Sequence, residues 1–158
     1  MKSEVYFRDL EVSSIEGKTI FLDIDGTLVC DGGYDMTLED VMKVQILSQK
    51  NYVLLCSNKK DHARNQKLAE SLGVSYINSP FKKPSRKILG YFKELPPEDR
   101  VIIGDKYMTD GVFAHRIGAH FLKVKRIRGQ DELFVTRIIY ALDDFIYFLQ
   151  TRVRNNFF

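Results

Sequence analysis

The chain reads as an α/β protein, a three-layer, Rossmann-like, doubly wound parallel sheet with helices on both faces, and three observations predict this. Short apolar runs at 18–24, 51–57, 73–77, 100–104 and 120–125 alternate with longer amphipathic stretches, the signature of parallel strands joined by crossover helices. Chemistry-bearing polar residues fall just past the ends of several of these runs, where open sheets of this class bind ligands. The size and balance also fit: 158 residues, 44% hydrophobic and 28% charged, give one domain over 1–158 with a proper core and no disorder signature.

Each element has its own warrant. Met1 to Leu10 mixes Lys, Glu, Arg and Asp and offers no apolar signal core. Thr19-Ile20-Phe21-Leu22 is the first buried strand. Thr37-Leu38-Glu39-Asp40 has the form of a capping box opening a helix to about Lys50, with Val41, Val44, Ile46 and Leu47 as its apolar side. Tyr52 to Cys56 is the second strand. Lys60 to Leu72 is the next helix, stopped by Gly73, and Ser85 to Lys93 a third, ended by Leu95-Pro96-Pro97. Asp110 to Ile117 is a fourth, with Gly118 as its C-terminal cap. Asp131 to Phe158 is a long final helix whose Leu133, Phe134, Ile138, Ile139, Leu142, Phe145, Ile146 and Leu149 form a core-facing stripe. The aromatic excess at Phe145, Tyr147, Phe148, Phe157 and Phe158, mixed with Arg152 and Arg154, leaves a second reading open: docking on a membrane surface or another subunit.

Asp23-Ile24-Asp25-Gly26-Thr27 follows directly on the first strand. Side chains at i and i+2 of a strand share a side, so Asp23 and Asp25 converge while Ile24 turns into the core. Two carboxylates that close repel unless a cation or proton is shared, so a divalent metal and a phosphate-handling role relieve the strain. Ser57-Asn58 ends the second strand where a helix begins, and helix N-termini bind phosphate. Lys82-Lys83-Pro84 sets a cation at the start of another helix. Val101-Ile102-Ile103 leads into Gly104-Asp105 and on to Thr109-Asp110, two more carboxylates after a buried strand.

Asp/Asp, Ser/Asn, Lys and Asp/Asp, in that order, closely resemble the four motifs of the haloacid dehalogenase-like superfamily. Within it, Asp23 to Leu28, Lys82-Lys83-Pro84 and Gly104-Asp105 to Thr109-Asp110 followed by Gly118 look like the short, capless IIIA type. The nearest resemblance is to the YqeG-like and mitochondrial phosphatidylglycerophosphate phosphatase group, over roughly residues 5 to 145. The resemblance implies a phosphomonoester hydrolase with Asp23 as nucleophile forming an aspartyl-phosphate, and Asp25 as general acid and base. That acid–base work asks for an Asp25 pKa lifted towards neutrality, which Asp23 and partial burial would supply. Mg²⁺ is the implied cofactor, held by Asp23, the backbone carbonyl of Asp25, and Asp105. Asp110 stands as a further ligand, an anchor behind the ligands, or a plain helix cap. Gly26 and Thr27 amides with Ser57 and Asn58 would hold the phosphoryl oxygens, and Lys83 would balance their charge. Lys82 competes for that role, and only the family's Lys-Pro spacing favours Lys83.

The gaps between the motifs hold little more than one helix, or one helix and one strand, so no large cap domain is expected. An open site suits a bulky substrate such as a lipid head group, a nucleic acid end or a phosphoprotein. A phosphatidylglycerophosphate-like lipid is the first substrate expected. Nucleotides, sugar phosphates and nucleic acid ends are alternatives, and an inert binding module is the reading from another class. The net charge of +3 permits an anionic substrate but does not by itself argue for nucleic acid. Lys123, Lys125, Arg126 and Arg128 read as a solvated strand end and loop, or a lipid or nucleic acid contact.

Cys30 and Cys56 form no disulfide framework, and Cys56 inside an apolar strand reads as a small core residue. His62, His115 and His120 show no ligand spacing. Gly32-Gly33 beside Tyr34 and Asp35 is a turn or a small flap, with Tyr34 or Tyr107 as candidate contacts to the leaving group. No apolar run approaches the roughly 20 residues that span a bilayer, so a cytoplasmic location is the default expectation, with peripheral membrane contact left open.

Overall fold

The computed structural model describes residues 4–91 and 99–156, with side chains to residue 153. Five short strands, β1 (Thr19–Leu22), β2 (Tyr52–Leu55), β3 (Ser75–Tyr76), β4 (Arg100–Gly104) and β5 (His120–Lys123), form one all-parallel sheet in the order β3-β2-β1-β4-β5. The helices are α1 (Leu38–Lys50), α2 (His62–Leu72), α3 (Val112–Ile117) and α4 (Phe134–Asn156). This is the three-layer, Rossmann-like arrangement that the alternating pattern predicts.

Alternation along the strands sorts the core into two layers. Ile20, Leu22 and Ile24 pack with Val53, Leu55 and Ile103 on one face, under Val44 and Leu47 of α1 and Leu68 and Leu72 of α2. Phe21, Leu54, Cys56 and Ile102 face the other way, against Ile88, Phe113 and Ala114. Phe21 meets Phe113 edge to face, with ring centroids 5.9 Å apart.

Several boundaries differ from the sequence expectation. The third strand is two residues long rather than 73–77, because Gly73 is taken by the left-handed C-cap of α2. Thr37 does cap α1, accepting from the Asp40 N–H, yet Ile46 of the expected apolar side is exposed. α2 begins at His62, capped by Asp61. The expected helix at Ser85 to Lys93 is a 3₁₀ segment over Arg86–Tyr91; Phe92, Lys93 and Leu95-Pro96-Pro97 lie outside the described residues, as do Phe157, Phe158 and the Arg154 side chain. The helix expected to start at Asp110 starts earlier, with a wide π turn over Tyr107–Gly111 that continues into α3.

The largest correction concerns α4. Its apolar stripe does not face the core: Leu133, Phe134, Ile138, Leu142, Phe145 and Leu149 are all exposed, and the helix packs chiefly on the Tyr107–Gly111 turn through its polar and aromatic side. The sheet's two faces are already covered without it. Lys123 is corrected too, for its ammonium is buried and paired with Glu4 and Asp144 rather than solvated. Among the described residues, no helix is long and apolar enough to cross a membrane.

Candidate active site

The chain moves outward from β1 through β2 to β3 and then crosses back to β4, so the sheet's switch point lies between β1 and β4. Ligands bind at such a crevice outside the carboxyl ends of the strands. Asp23 stands there, its N–H donating to the Ile103 carbonyl at 2.9 Å. Asp105 follows β4 directly, and Asp110 returns to the same point from the π turn.

These three carboxylates converge, with ligand oxygens within 4.8 Å of one another. Lys83 joins them from the loop after β3, its Nζ donating to Asp23 Oδ1 at 2.6 Å and to Asp110 Oδ1 at 2.5 Å. All four are nearly enclosed: Asp23 is 7% exposed, Lys83 4%, Asp105 3% and Asp110 1%. Lys82, by contrast, is exposed. The structure therefore settles which lysine faces the cluster.

One ammonium does not balance three carboxylates in a buried site. Burial pushes Asp23 up to about 7, with Asp110 adding to the rise and Lys83 opposing it. Burial also lifts Asp105 well above its ordinary range, helped by Asp23 and Asp110. For Lys83 burial favours the neutral amine, but Asp110 and Asp23 outweigh it and raise its pKa well above that of a free lysine. Asp105 Oδ2 is buried without a hydrogen-bond partner among the described residues, and the nearest cation, Arg126 Nε, is 3.7 Å away. An all-oxygen donor set with surplus negative charge and an unsatisfied oxygen suits a hard divalent cation such as Mg²⁺.

Gly26 lets this cluster close. It lies at φ +85°, and a Cβ there would fall 2.3 Å from Asp105 Oδ2. Thr27 donates its hydroxyl to Asp23 Oδ2 at 3.3 Å. Asp110 is not a helix cap: the residue before α3 is Gly111, with no side-chain cap, and Asp110 Oδ2 instead accepts the Lys106 N–H at 3.3 Å.

Asp25 departs from expectation. β1 has ended before it, and its carboxylate joins Arg64 instead of the three converging acids. Arg64 donates to both Asp25 oxygens, at 2.8 and 3.2 Å; the Gly32 N–H and the Ser57 hydroxyl donate at 2.9 and 3.0 Å. Burial acts to raise its pKa, but these donors prevail and hold it below the ordinary carboxylate value. The expected lift towards neutrality is thus overturned.

The second motif also works differently. Ser57 is engaged with Asp25, and its hydroxyl accepts the Lys59 N–H at 3.0 Å. Asn58 uses both ends of its amide on the main chain of Lys83, accepting at 2.6 Å and donating at 2.9 Å. Its side chain holds Lys83 in place rather than pointing at a phosphoryl group, and the Lys83–Pro84 peptide it clamps is cis.

Four residues of the site escaped the motif reading: Arg64, Arg126, Tyr140 and Asp143. Arg64 left a trace, since it occupies a buried-stripe position of α2 one turn before Leu68. Arg126 stacks on Tyr140, its guanidinium carbon 3.4 Å from the ring centroid. Burial, and then the charge of Asp105, push the Tyr140 phenol far up. Asp143 accepts the Tyr107 and Met108 N–H groups at 2.7 Å each, pinning the turn between Asp105 and Asp110 to α4. Tyr107 packs at a tilt against Tyr147 and Phe121. Tyr34 is exposed and lies over Arg64. Cys56 is a core residue, its thiol pushed up to about 11 by burial.

Fold and site together define a Rossmann-like α/β protein with a buried carboxylate–lysine centre at its switch point. Residues 6–126 match the family described as mitochondrial PGP phosphatase, and the chain belongs to that family: it is a phosphatase. Searches of curated proteins and of solved structures return no match to this chain.

Proposed function

We propose that this phosphatase is of the haloacid dehalogenase-like type, hydrolyses a phosphomonoester through an aspartyl-phosphate on Asp23 with Mg²⁺ as cofactor, and acts on a phosphatidylglycerophosphate-like lipid. The observation that carries the reading is the buried convergence of Asp23, Asp105 and Asp110, the first and last paired with Lys83, with one carboxylate oxygen of Asp105 left unsatisfied. Mg²⁺ held by the three carboxylates would neutralise the oxygens of the transferring phosphoryl group.

The chain's own residues supply the rest. Lys83 fixes one Asp23 oxygen and the Thr27 hydroxyl steadies the other, which attacks phosphorus; the bond to the substrate's leaving oxygen breaks as the bond to Asp23 forms. Asp25 is held ionised, which suits it to take a proton from the water that then attacks the phosphoryl-aspartate and releases inorganic phosphate. To protonate the leaving oxygen in the first half, Asp25 must first gain a proton, and the negative charge of an arriving phosphate raises its pKa. The family of membership and the absence of a large cap among the described residues support a lipid head group as substrate.

The test is phosphate release from p-nitrophenyl phosphate and from phosphatidylglycerophosphate, with and without Mg²⁺, for wild type and Asp23→Asn. The reading expects turnover that needs the metal and falls by at least roughly 10³-fold in the variant. Metal-independent turnover, or full activity of Asp23→Asn, would contradict it.

A further inference from the structure

The family match ends at residue 126, before α4, and α4 carries the most conspicuous surface of the molecule. Phe134, Ile138, Leu142, Phe145, Leu149 and Val153 are each between 46% and 73% exposed. At 100° per residue they fall within an arc of about 100°, along a 23-residue helix about 34 Å long. A stripe of that width normally faces a core. Here the opposite side is the packed one, through Asp143 on the Tyr107–Met108 amides and Tyr147 against Tyr107 and Phe121.

We propose that α4 is an interfacial helix that seats this phosphatase on an anionic lipid bilayer, with its apolar stripe in the head-group boundary and its polar face holding the site's acidic loop beside that surface. Charge selects the occupant. Arg137 and Arg152 border the stripe and are exposed. Arg137 lies 3.8 Å from Glu132, but that carboxylate also pairs with Arg126. Asp144, the acid on that side, is taken by Lys123, and Asp143 is buried. A second copy would set arginines against arginines, facing each other in an antiparallel pair and themselves in a parallel one; a bilayer bearing anionic lipid attracts them.

The geometry also links the surface to the chemistry. Asp143 and Tyr140 sit on the inner side of the same helix, one pinning the turn between Asp105 and Asp110, the other under Arg126 beside Asp105. The same helix therefore carries the apolar stripe on one face and the contacts to the acidic turn on the other. The activity arm rests on the phosphatase reading above; the binding arm does not.

The full-length protein is sedimented with mixed phosphatidylcholine–phosphatidylglycerol vesicles and with pure phosphatidylcholine vesicles, alongside Leu142→Glu/Phe145→Glu and, as a second variant, Phe134→Gln/Ile138→Gln. Wild type should pellet with the anionic vesicles and be released by salt, whereas both variants should stay in solution. Both should keep wild-type turnover on soluble p-nitrophenyl phosphate, which also shows that they fold, and lose at least roughly tenfold on phosphatidylglycerophosphate in vesicles. Wild type that never pellets, or variants that pellet equally, would overturn the proposal. So would a wild-type dimer that the variants dissolve while vesicles go unbound, since that assigns the stripe to a second copy. Vesicle binding with no turnover on any substrate would sink the phosphatase reading and leave the docking surface standing.

Discussion

Gly26 shows how closely one backbone position governs the site. Its positive φ and the Asp105 carboxylate packed 2.3 Å from where a Cβ would stand exclude any side chain. Its carbonyl accepts the Ile127 N–H at 2.7 Å, so the segment cannot easily shift. Gly26→Ala is expected to cost about 1–3 kcal/mol and to displace Asp105, lowering phosphatase turnover by at least tenfold; denaturant melts and phosphate release measure the two. Asp23 gives a signed pH effect. Its pKa rises from 3.8 unfolded to about 7 in the metal-free fold, so folding takes up a proton. The stabilisation is full below about pH 4 and is lost as pH rises to about 7. The difference in metal-free stability between wild type and Asp23→Asn should therefore fall across that window; a difference that grows with pH there would contradict the burial argument.

Among the elements, α4 and the Tyr107–Gly111 turn act as one unit because Asp143 satisfies two amides that no helix geometry could. Asp143→Ala leaves both N–H groups unsatisfied, which should cost about 2–3 kcal/mol and accelerate hydrogen exchange at Tyr107 and Met108. Asp143→Asn, which keeps an acceptor, should lie between. The order of strands and helices was legible in the sequence because buried parallel strands are continuous apolar runs, as at Val101-Ile102-Ile103. Asp23 and Asp105 were legible because each directly follows a strand end, and Lys83 and Asp110 because they complete the ordered set of motifs. What was not legible came from packing. Periodicity shows that α4 has an apolar stripe but not which side the fold covers, and Asp143 is one of two adjacent acids, Asp143-Asp144, with nothing in the sequence to mark which is buried. Asp25 misled for a related reason: its controlling partner, Arg64, lies 39 positions away on α2.

The molecule as a whole concentrates its electrostatic strain at the switch point. Three buried carboxylates converge with Lys83 paired to two of them and Arg126 3.7 Å from the third, so the metal-free fold holds unfavourable charge that a divalent cation would relieve. Mg²⁺ should therefore raise the melting temperature of wild type. Asp105→Asn, which removes the carboxylate charge that carries the unsatisfied oxygen, should melt higher than wild type without metal at pH 8 and lose most of the Mg²⁺ increment. A metal-free Asp105→Asn that melts lower would mean that Arg126 already compensates Asp105.

In the proposed reaction Asp23 is the point of covalent attachment. The most direct measurement is acid quenching of Asp25→Asn during turnover of p-nitrophenyl phosphate with Mg²⁺, followed by peptide mapping by mass spectrometry. The account predicts one phosphoryl group on Asp23, accumulating because the water-activating carboxylate is gone. A phosphoryl group on any other residue would contradict it, and so would turnover by the variant with no covalent phosphoryl-enzyme at any time.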